Sequence, residues 1–337
     1  MSGSINRLMA GFPPATNDRV KASNWRTPRR ARWSFNHLRQ LLPTAPIAPT
    51  AQPTSLPVAR QDLTKLKFYD PHKQRTDLHS FLHASHTDAF AVLHRGHLVF
   101  DWFDGFGAAD RPHIIFSITK SMAALLVGVL VGRGRLNPQD LVTDYLPELA
   151  GSAYDGARLR HLLDMQIASG FSENYTDTDG IFMAYRRAAA WNPVEEGVET
   201  EGLRHFLTQM PKSDTVQHGR LHHYCSPHSD VLGWVIERAG NASFAEQFSE
   251  HILAPCGGSH TGYITLDTYG APRVSGGMCL GLYDLLLIGE MVRNRGYINQ
   301  LQVVPSAWID DITAVRDNSI WRAQHNADGP RLFINGN

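Results

Sequence analysis

A serine and a lysine three residues apart could together form a nucleophile and its base. Ser117 and Lys120 follow a short apolar stretch, 114–116, and lead into a longer apolar run, 122–131. This pattern predicts a buried helix with Ser117 in its first turn. Because residues three apart lie on the same face of a helix, the Lys120 amine can reach the Ser117 hydroxyl. The free backbone N–H groups at a helix start favour developing negative charge, so the arrangement suits acyl transfer.

The same spacing also arises by chance, as a helix-capping serine followed by a solvated lysine. The predicted helix is apolar on almost every side, which places Lys120 near the core. A charge in such a position is costly unless it has partners. The surroundings of the pair therefore favour a functional interpretation over a capping one.

A second polar cluster occupies residues 222–228 and immediately precedes another predicted helix. Tyr224 and Ser226 lie two residues apart in a predicted loop, so both hydroxyls could face one cavity. The alternative is a His-rich surface loop with a hydrogen-bonded tyrosine. The catalytic interpretation requires Ser117 as a partner.

Two cysteines and two histidines resemble a zinc-binding set: Cys225, His228, Cys256 and His260. Zinc sets of this kind hold small modules that cannot build a core, whereas this chain is long enough to bury a large one. The sequence therefore predicts no metal site, and no motif indicates a cofactor.

Composition restricts the class of protein. The chain has 337 residues, of which 42% are hydrophobic and 19% charged, and its formal net charge is zero. It suits one large domain or two intertwined lobes, and it has no overall basic field that would attract nucleic acid. We expect a small-molecule substrate and no nucleic-acid or membrane partner.

The predicted compartment is the cytoplasm. The N-terminus lacks the pattern of a secretory signal, and the apolar run 122–131 is shorter than the roughly 20 residues of a membrane span. The three cysteines are an odd number without framework spacing, which favours reduced thiols.

Residues 1–60 are rich in Pro, Ala, Thr and Arg and form a distinct N-terminal arm. The Arg cluster 26–32 is interpreted as a solvated loop, with an anion-binding role as the less favoured alternative. Residues 33–42 have helical apolar spacing and are expected to pack on the body of the protein.

The remaining pattern predicts an α+β fold. Residues 90–94 and 97–103 are strand-like and joined by a short hairpin, and residues 261–265 and 273–275 are later strand candidates. Helical spacing dominates between them, for example in 159–165 and 230–238, and again in 282–292. We expect a mixed sheet with flanking helices, an inserted all-helical lobe and a cleft between the two.

Three segments together resemble a known family: Ser117-x-x-Lys120, Tyr224-Cys-Ser226 and the stretch 275–285. They resemble the serine β-lactamase and penicillin-binding-protein superfamily, and within it the 6-aminohexanoate-dimer hydrolase group of amidases and carboxylesterases. The likeness extends to four other segments, at 19–25, 32–39, 145–148 and 162–165.

The resemblance implies a β-lactamase/transpeptidase-like fold with its site between sheet and lobe. The arm 1–60 would pack on a β-lactamase-like domain, 61–337. In that domain, 61–116 and about 251–337 would form the α/β part and about 117–250 the helical lobe. The resemblance also suggests a homodimer.

The resemblance further implies roles for six residues. Ser117 would attack the substrate carbonyl, while Lys120 and Tyr224 would share the transfer of its proton. Tyr175, Ser226 and Ser275 match substrate-contacting positions. The wider superfamily usually has Asn where this chain has Ser226, which favours the hydrolase group over a true β-lactamase.

The implied function is a serine hydrolase that forms an acyl-enzyme. Its substrates would be small linear amides of the 6-aminohexanoate-dimer type, short-chain carboxyl esters, or both. The alternatives are a β-lactam or D-Ala-D-Ala peptide hydrolase, and a truncated relative that is catalytically weak or only binds.

The last alternative arises because the superfamily carries a third motif, Lys-Thr-Gly or His-x-Gly, on a late strand that supplies an oxyanion donor. The segment 260–262 matches the residue types of this motif but comes too soon after Tyr224 in the sequence. The chain stops at 331–337, before such a strand. Loss of one oxyanion donor costs about 10²- to 10³-fold in rate. From the sequence we therefore expect a chain truncated before this strand, and little or no activity is the alternative that follows from the truncation.

Overall fold

The computed structural model describes residues 7–314, apart from 195, 196 and 199, together with residue 320. The segment 331–337, on which the expectation of a missing strand depends, lies outside the described residues. The strands are β1 (Thr44–Ile47), β2 (Lys67–Tyr69), β3 (Arg75–Asp77), β4 (Ala89–His94), β5 (His97–Phe103), β6 (His113–Ile114), β7 (Gly262–Thr265), β8 (Met278–Leu280), β9 (Tyr297–Ile298) and β10 (Leu301–Gln302).

Most helices lie between β6 and β7, as the predicted inserted lobe requires. The helices of the described residues are α1 (Pro28–Ser34), α2 (Leu78–Ala84), α3 (Ile118–Gly132), α4 (Val142–Tyr145), α5 (Leu159–Leu163), α6 (Ile181–Ala188), α7 (Gly202–Thr208), α8 (Ser226–Gly240), α9 (Phe244–Phe248), α10 (Leu282–Arg293) and α11 (Ser306–Thr313), and α3 to α9 are those between β6 and β7. In the described part of the chain, no helix combines the length and the apolar character needed to cross a bilayer.

A four-stranded antiparallel sheet has the order β1-β7-β8-β6. The N-terminal arm supplies its first strand, since Thr44 pairs with Thr265 and Ile47 with Gly262. At the other edge His113 pairs with Leu280, only four residues before Ser117. The sheet therefore fixes the start of α3, and the arm is an integral part of the sheet.

The predicted hairpin is formed by β4 and β5, which pair antiparallel. Its turn has Arg95 at φ 50° and Gly96 at φ 80°. Two-residue hairpins with positive φ at both central positions match the right-handed twist of the strands. The backbone of residues 57–61 pairs with the outer edge of β5 at Leu98 and Val99.

The core of the lobe is built around α3, whose residues are apolar on almost every side. It packs against α8, which is also largely buried. Burial on most faces explains why the sequence of α3 shows no polar stripe. The predicted helices at 159–165, 230–238 and 282–292 correspond to α5, α8 and α10.

Two local predictions are wrong. Residues 274–276 form a turn instead of a strand, closed by a hydrogen bond from the Gly277 N–H to the Arg273 carbonyl. The Asp230 carboxylate also accepts the Ser275 N–H at 2.7 Å, and that side chain comes from a helix 45 residues away. Local β propensity does not reveal such a tertiary partner.

The Arg cluster 26–32 is also not a solvated loop, because most of it lies in α1. Arg29 forms an ion pair with Asp18 at 2.5 Å and Arg32 one with Asp88 at 2.7 Å. The predicted helix over 33–42 is divided between the end of α1 and a 3-10 turn, Leu38–Gln40.

Replacement by alanine is expected to have opposite effects on stability at two helical glycines. A methyl group at Gly128 in α3 would lie 2.6 Å from Cγ and Nε1 of Trp308, whereas a methyl group at Gly289 in α10 would have no atom of the described residues within 4 Å. We expect Gly128→Ala to lower the free energy of unfolding by about 1–3 kcal/mol through overpacking. Gly289→Ala should raise it by about 0.5–1 kcal/mol, because alanine favours the helix. Urea denaturation of both variants checks the pair, and equal effects would contradict the packing of α11 on α3.

Candidate active site

Ser117 lies where the sheet passes into α3, at the N-cap of that helix. The preceding residue, Phe116, has φ 44°, a left-handed conformation that is costly for a bulky side chain. Backbone strain of this kind is concentrated at functional sites. The turn leaves the Ser117 side chain exposed, and among the described residues no acceptor binds its backbone N–H. That N–H is available to a developing oxyanion.

Lys120 lies one turn further along α3 and points back towards the serine. Its Nζ donates to Ser117 Oγ at 3.1 Å, to Ser226 Oγ at 3.4 Å and to the Ser275 carbonyl oxygen at 2.5 Å. Three acceptors match the three N–H bonds of an ammonium group. The half-buried amine is therefore held against the serine from three directions.

Tyr224 precedes α8 and approaches Ser117 from the lobe. Its hydroxyl donates to Ser117 Oγ at 2.8 Å, and the Lys120 Nζ lies 5.2 Å from the centre of its ring. The side chain remains 43% exposed, so a group leaving past Tyr224 has access to solvent. The structure thus brings together the three residues predicted to be catalytic.

Glu173 is a site residue that the sequence interpretation missed. Its carboxylate accepts the Ser226 N–H at 2.6 Å and the Ser226 hydroxyl at 2.8 Å, and it also accepts the Tyr175 hydroxyl. It therefore fixes two of the predicted substrate-binding residues. The only signal in the sequence is its place two residues before Tyr175.

Tyr175 and Ser226 occupy different environments. Tyr175 is exposed, and its ring contacts Phe182 edge-on at 5.1 Å. Burial of the hydroxyl and the Glu173 hydrogen bond together raise the pKa of Tyr175. Ser226 is buried and is the first residue of α8, not part of a loop, and Pro227 follows it in the first helical turn, where proline is tolerated.

Ser275 contributes to the site through its backbone. Its carbonyl binds Lys120, whereas its buried hydroxyl accepts from Tyr185 at 3.1 Å. Tyr185 also donates to the buried Asp230, which holds the Ser275 N–H. Burial raises the pKa of both Tyr185 and Asp230. This buried network fixes the position of the Ser275 carbonyl, which Lys120 contacts.

A cavity of about 230 Å³ opens beside Ser117. Its polar walls include Glu173, Tyr175, Ser226 and Ser275, so all three predicted substrate-binding residues line it. Its aromatic walls are Phe35, Phe116, Phe182 and Trp191, and its cationic walls are Arg26, Arg186 and Arg273. The volume is below the roughly 300–1,000 Å³ of pockets for drug-sized ligands, so it suits a small group.

The residues that resemble a zinc set do not converge. Cys225 and Cys256 are buried free thiols, and burial raises the pKa of Cys256 to about 12. His260 lies beside β7, and its Nδ1 contacts Ser259 Oγ at 2.7 Å. Within the described ranges, no group of three or more His, Cys, Asp or Glu side chains could hold a metal ion.

Glu173→Gln tests the link between the carboxylate and the substrate-binding hydroxyls. An amide keeps one acceptor oxygen but turns an N–H₂ group towards the donors of Ser226 or Tyr175. We expect kcat/KM for ester hydrolysis to fall about 10- to 100-fold, which corresponds to the loss of one hydrogen bond to a charged group. Glu250→Gln, an exposed residue outside the site, is the control. An unchanged kcat/KM in Glu173→Gln would show that the carboxylate does not organise the site.

Known proteins share this architecture. The sequence profile of the Beta-lactamase family matches residues 80–278. The chain is 30% identical to the 6-aminohexanoate-dimer hydrolase of Paenarthrobacter ureafaciens over 312 residues, which cover 92% of this chain and 77% of that protein.

Solved structures support the same fold. A Bacillus anthracis protein described as "Putative 6-aminohexanoate-dimer hydrolase" superposes with a TM-score of 0.82 at 23% identity, covering 91% of this chain and 80% of that one. The octameric penicillin-binding protein homologue from Pyrococcus abyssi gives a TM-score of 0.54 at 20% identity, covering 70% of this chain and 59% of that one. The chain therefore belongs to the serine β-lactamase and penicillin-binding-protein superfamily, as a hydrolase that resembles the 6-aminohexanoate-dimer hydrolase group.

Proposed function

We propose that this protein hydrolyses short-chain carboxylic esters and small linear amides through an acyl-enzyme on Ser117. One observation carries the proposal: Ser117 Oγ receives hydrogen bonds from both Lys120, at 3.1 Å, and Tyr224, at 2.8 Å. A serine hydroxyl with two proton-transfer groups within hydrogen-bond reach has the geometry of an activated nucleophile.

In the acylation step, Ser117 Oγ forms a bond to the substrate carbonyl carbon. Its proton passes to the basic form of the Lys120–Tyr224 pair, and the carbonyl oxygen becomes an oxyanion beside the Ser117 N–H at the start of α3. When the tetrahedral species collapses, the bond to the leaving alcohol or amine breaks. Tyr224 gives that group a proton, and Lys120 restores the proton of Tyr224.

In the second step, water replaces the leaving group. The same pair takes a proton from water as its oxygen attacks the acyl carbon, and the Ser117–acyl bond breaks with return of a proton to Ser117. The products are a carboxylic acid and the regenerated enzyme. Both steps balance with transfers of protons and electron pairs alone.

The linear dimer of 6-aminohexanoate is the natural first amide to test, because the relative at 30% identity is named for its hydrolysis. Ser226 supports this substrate class over β-lactams, because the wider superfamily usually has Asn at this position. The short side chain of Ser226 keeps its hydroxyl 3.4 Å from Lys120 Nζ and 2.8 Å from the Glu173 carboxylate. A longer amide side chain at this position would reach further into the cavity.

The decisive experiment combines turnover with labelling of the nucleophile. We expect release of 4-nitrophenol from 4-nitrophenyl butyrate, hydrolysis of the linear dimer, and attachment of a fluorophosphonate probe to Ser117, located by peptide mass spectrometry. A protein that binds ligands without catalysis would show neither turnover nor labelling. A stable penicillin adduct on Ser117, without ester turnover, would instead assign the protein to β-lactam chemistry.

A further inference from the structure

Three guanidinium groups line the cavity beside Ser117, and they come from three separate segments. Arg26 belongs to the N-terminal arm, Arg186 to the last turn of α6, and Arg273 to the turn before β8. Each faces an aromatic ring: the Cζ atoms lie 5.0 Å from the Trp25 ring, 4.2 Å from Phe182 and 3.9 Å from Tyr185. Ring faces attract cations but carry no neutralising charge.

Arg273 is the most informative of the three, because it is only 4% exposed. Within the described part of the chain, its Nε and Nη1 atoms have no hydrogen-bond partner. The Asp230 Oδ2 lies 3.9 Å from Nη1, beyond hydrogen-bond distance, and it already accepts from Tyr185. Buried polar groups are normally satisfied, so an orphaned guanidinium in a cavity wall indicates an absent acceptor.

The other two arginines form no ion pair with a carboxylate among the described residues. Arg26 donates to the Asn192 side chain, and Arg186 contacts the Met183 sulfur. Burial, followed by the charges of Arg186 and Arg273, lowers the pKa of Arg26 to about 10. Burial and the charge of Arg273 lower the pKa of Arg186. The three cations thus repel one another in a partly desolvated space.

Two carboxylates, Glu173 and Asp230, offset only part of this charge, because three guanidinium groups face two acids. Glu173 lines the same cavity but turns its oxygens to Ser226 and Tyr175. Asp230 is fully engaged with Tyr185 and Ser275. One further anion would relieve the repulsion and satisfy Arg273.

We propose that Arg26, Arg186 and Arg273 bind a carboxylate at the far end of the substrate's acyl group, so that the preferred substrates are half esters and half amides of linear dicarboxylic acids. Planar guanidinium groups match the two oxygens of a carboxylate. This proposal rests on the proposed function, since Ser117 must be the nucleophile for the cavity to receive the acyl group.

The position of Tyr224 indicates that the cavity receives the acyl half of the substrate. Tyr224 protonates the leaving group, lies outside the cavity and is partly exposed to solvent. The leaving half therefore points towards solvent, and the acyl half enters the cavity from Ser117. The linear 6-aminohexanoate dimer carries an ammonium on its acyl half, so the cavity disfavours it relative to an equally long carboxylated amide.

A series of three 4-nitrophenyl esters isolates the effect of the distant charge. Hexanoate, the adipate half ester and 6-aminohexanoate have six-carbon acyl groups and end in a methyl, a carboxylate and an ammonium. We expect kcat/KM for the adipate half ester to exceed that for hexanoate about 10- to 100-fold, the range of one hydrogen-bonded charge contact, and 6-aminohexanoate to be the poorest. Equal values, or a preference for the ammonium, would overturn the proposal.

Two neighbouring arginines supply matched variants. Arg186→Met should bring the ratio of adipate to hexanoate kcat/KM close to one. Arg187→Met, the next residue of α6, equally half-buried and outside the cavity, should keep the ratio of the unmodified protein. If both variants keep that ratio, the arginines of the cavity do not bind the carboxylate of the substrate.

Binding of free adipate separates this proposal from the proposed function. Calorimetry with Ser117→Ala should detect adipate binding that is lost in Ser117→Ala/Arg186→Met and kept in Ser117→Ala/Arg187→Met. Absence of adipate binding, together with Ser117-dependent hydrolysis of the hexanoate ester, would reject the carboxylate site and retain the hydrolase. Adipate binding without any hydrolysis would support the anion site and reject the catalytic role of Ser117.

Discussion

Ser117→Ala is expected to lower kcat for ester hydrolysis by about 10⁴-fold or more, as removal of an activated serine does in other serine hydrolases. The reason is chemical, because no other group stands within reach of both Lys120 and Tyr224 in the described structure. The measurement is steady-state hydrolysis of 4-nitrophenyl butyrate, with the loss of fluorophosphonate labelling as an independent readout.

Ser121→Ala is the matched control for this variant. Ser121 lies in the same helix and is also exposed, but it does not line the cavity. It should retain full activity. A second comparison uses the double variant Ser117→Ala/Lys120→Met, which should be no slower than Ser117→Ala alone, because residues that act as one unit are not additive. A clearly slower double variant would show that Lys120 works independently of the serine.

Tyr224→Phe should separate the hydrolysis of amides from that of activated esters. An amide expels an amine that must be protonated, whereas 4-nitrophenolate leaves readily without a proton. General acid catalysis contributes about 10²- to 10⁴-fold, and we expect a loss in this range for the linear amide. The loss for the 4-nitrophenyl ester should be at least about 10-fold smaller, because only the attack on it uses the hydroxyl.

Tyr297→Phe supplies the control, since Tyr297 is similarly exposed, at 47% against 43% for Tyr224, and does not line the cavity. Hydrolysis is followed by amine release for the amide and by absorbance for the ester. Equal losses on both substrates would mean that Tyr224 does not protonate the leaving group. A loss confined to the ester would contradict the proposed route of the proton.

Local sequence patterns were sufficient for the elements that carry the site. The apolar run 122–131 predicted a buried helix, and α3 is one. The β4–β5 hairpin was predicted from two strand-like runs around Arg95 and Gly96, whose positive φ values match the short turn. In each case the signal is short-range: side-chain periodicity and turn chemistry depend on neighbours in sequence.

Contacts between residues far apart in the sequence could not be predicted from these local patterns. Ser275 was placed in a strand, yet its N–H is held in a turn by Asp230. The place of Glu173 two residues before Tyr175 did not reveal its role, because that role depends on Ser226, which lies 53 residues further along the chain. Arg26 was assigned to a solvated loop, although its side chain lines the cavity beside Ser117. A residue's long-range partners are set by packing, not by its own propensity.

The sequence by itself determined which residues are the candidates for the nucleophile and its two proton-transfer partners, because the Ser117–Lys120 spacing and the Tyr224 segment together resemble a known family. Only the tertiary structure decided what surrounds them. It brought Tyr224 to within 2.8 Å of Ser117, put Glu173 behind Ser226, and placed three arginines from distant segments around one cavity. The charge of a cavity is the sum over groups that meet only after folding, so the order of residues alone did not reveal this cationic wall.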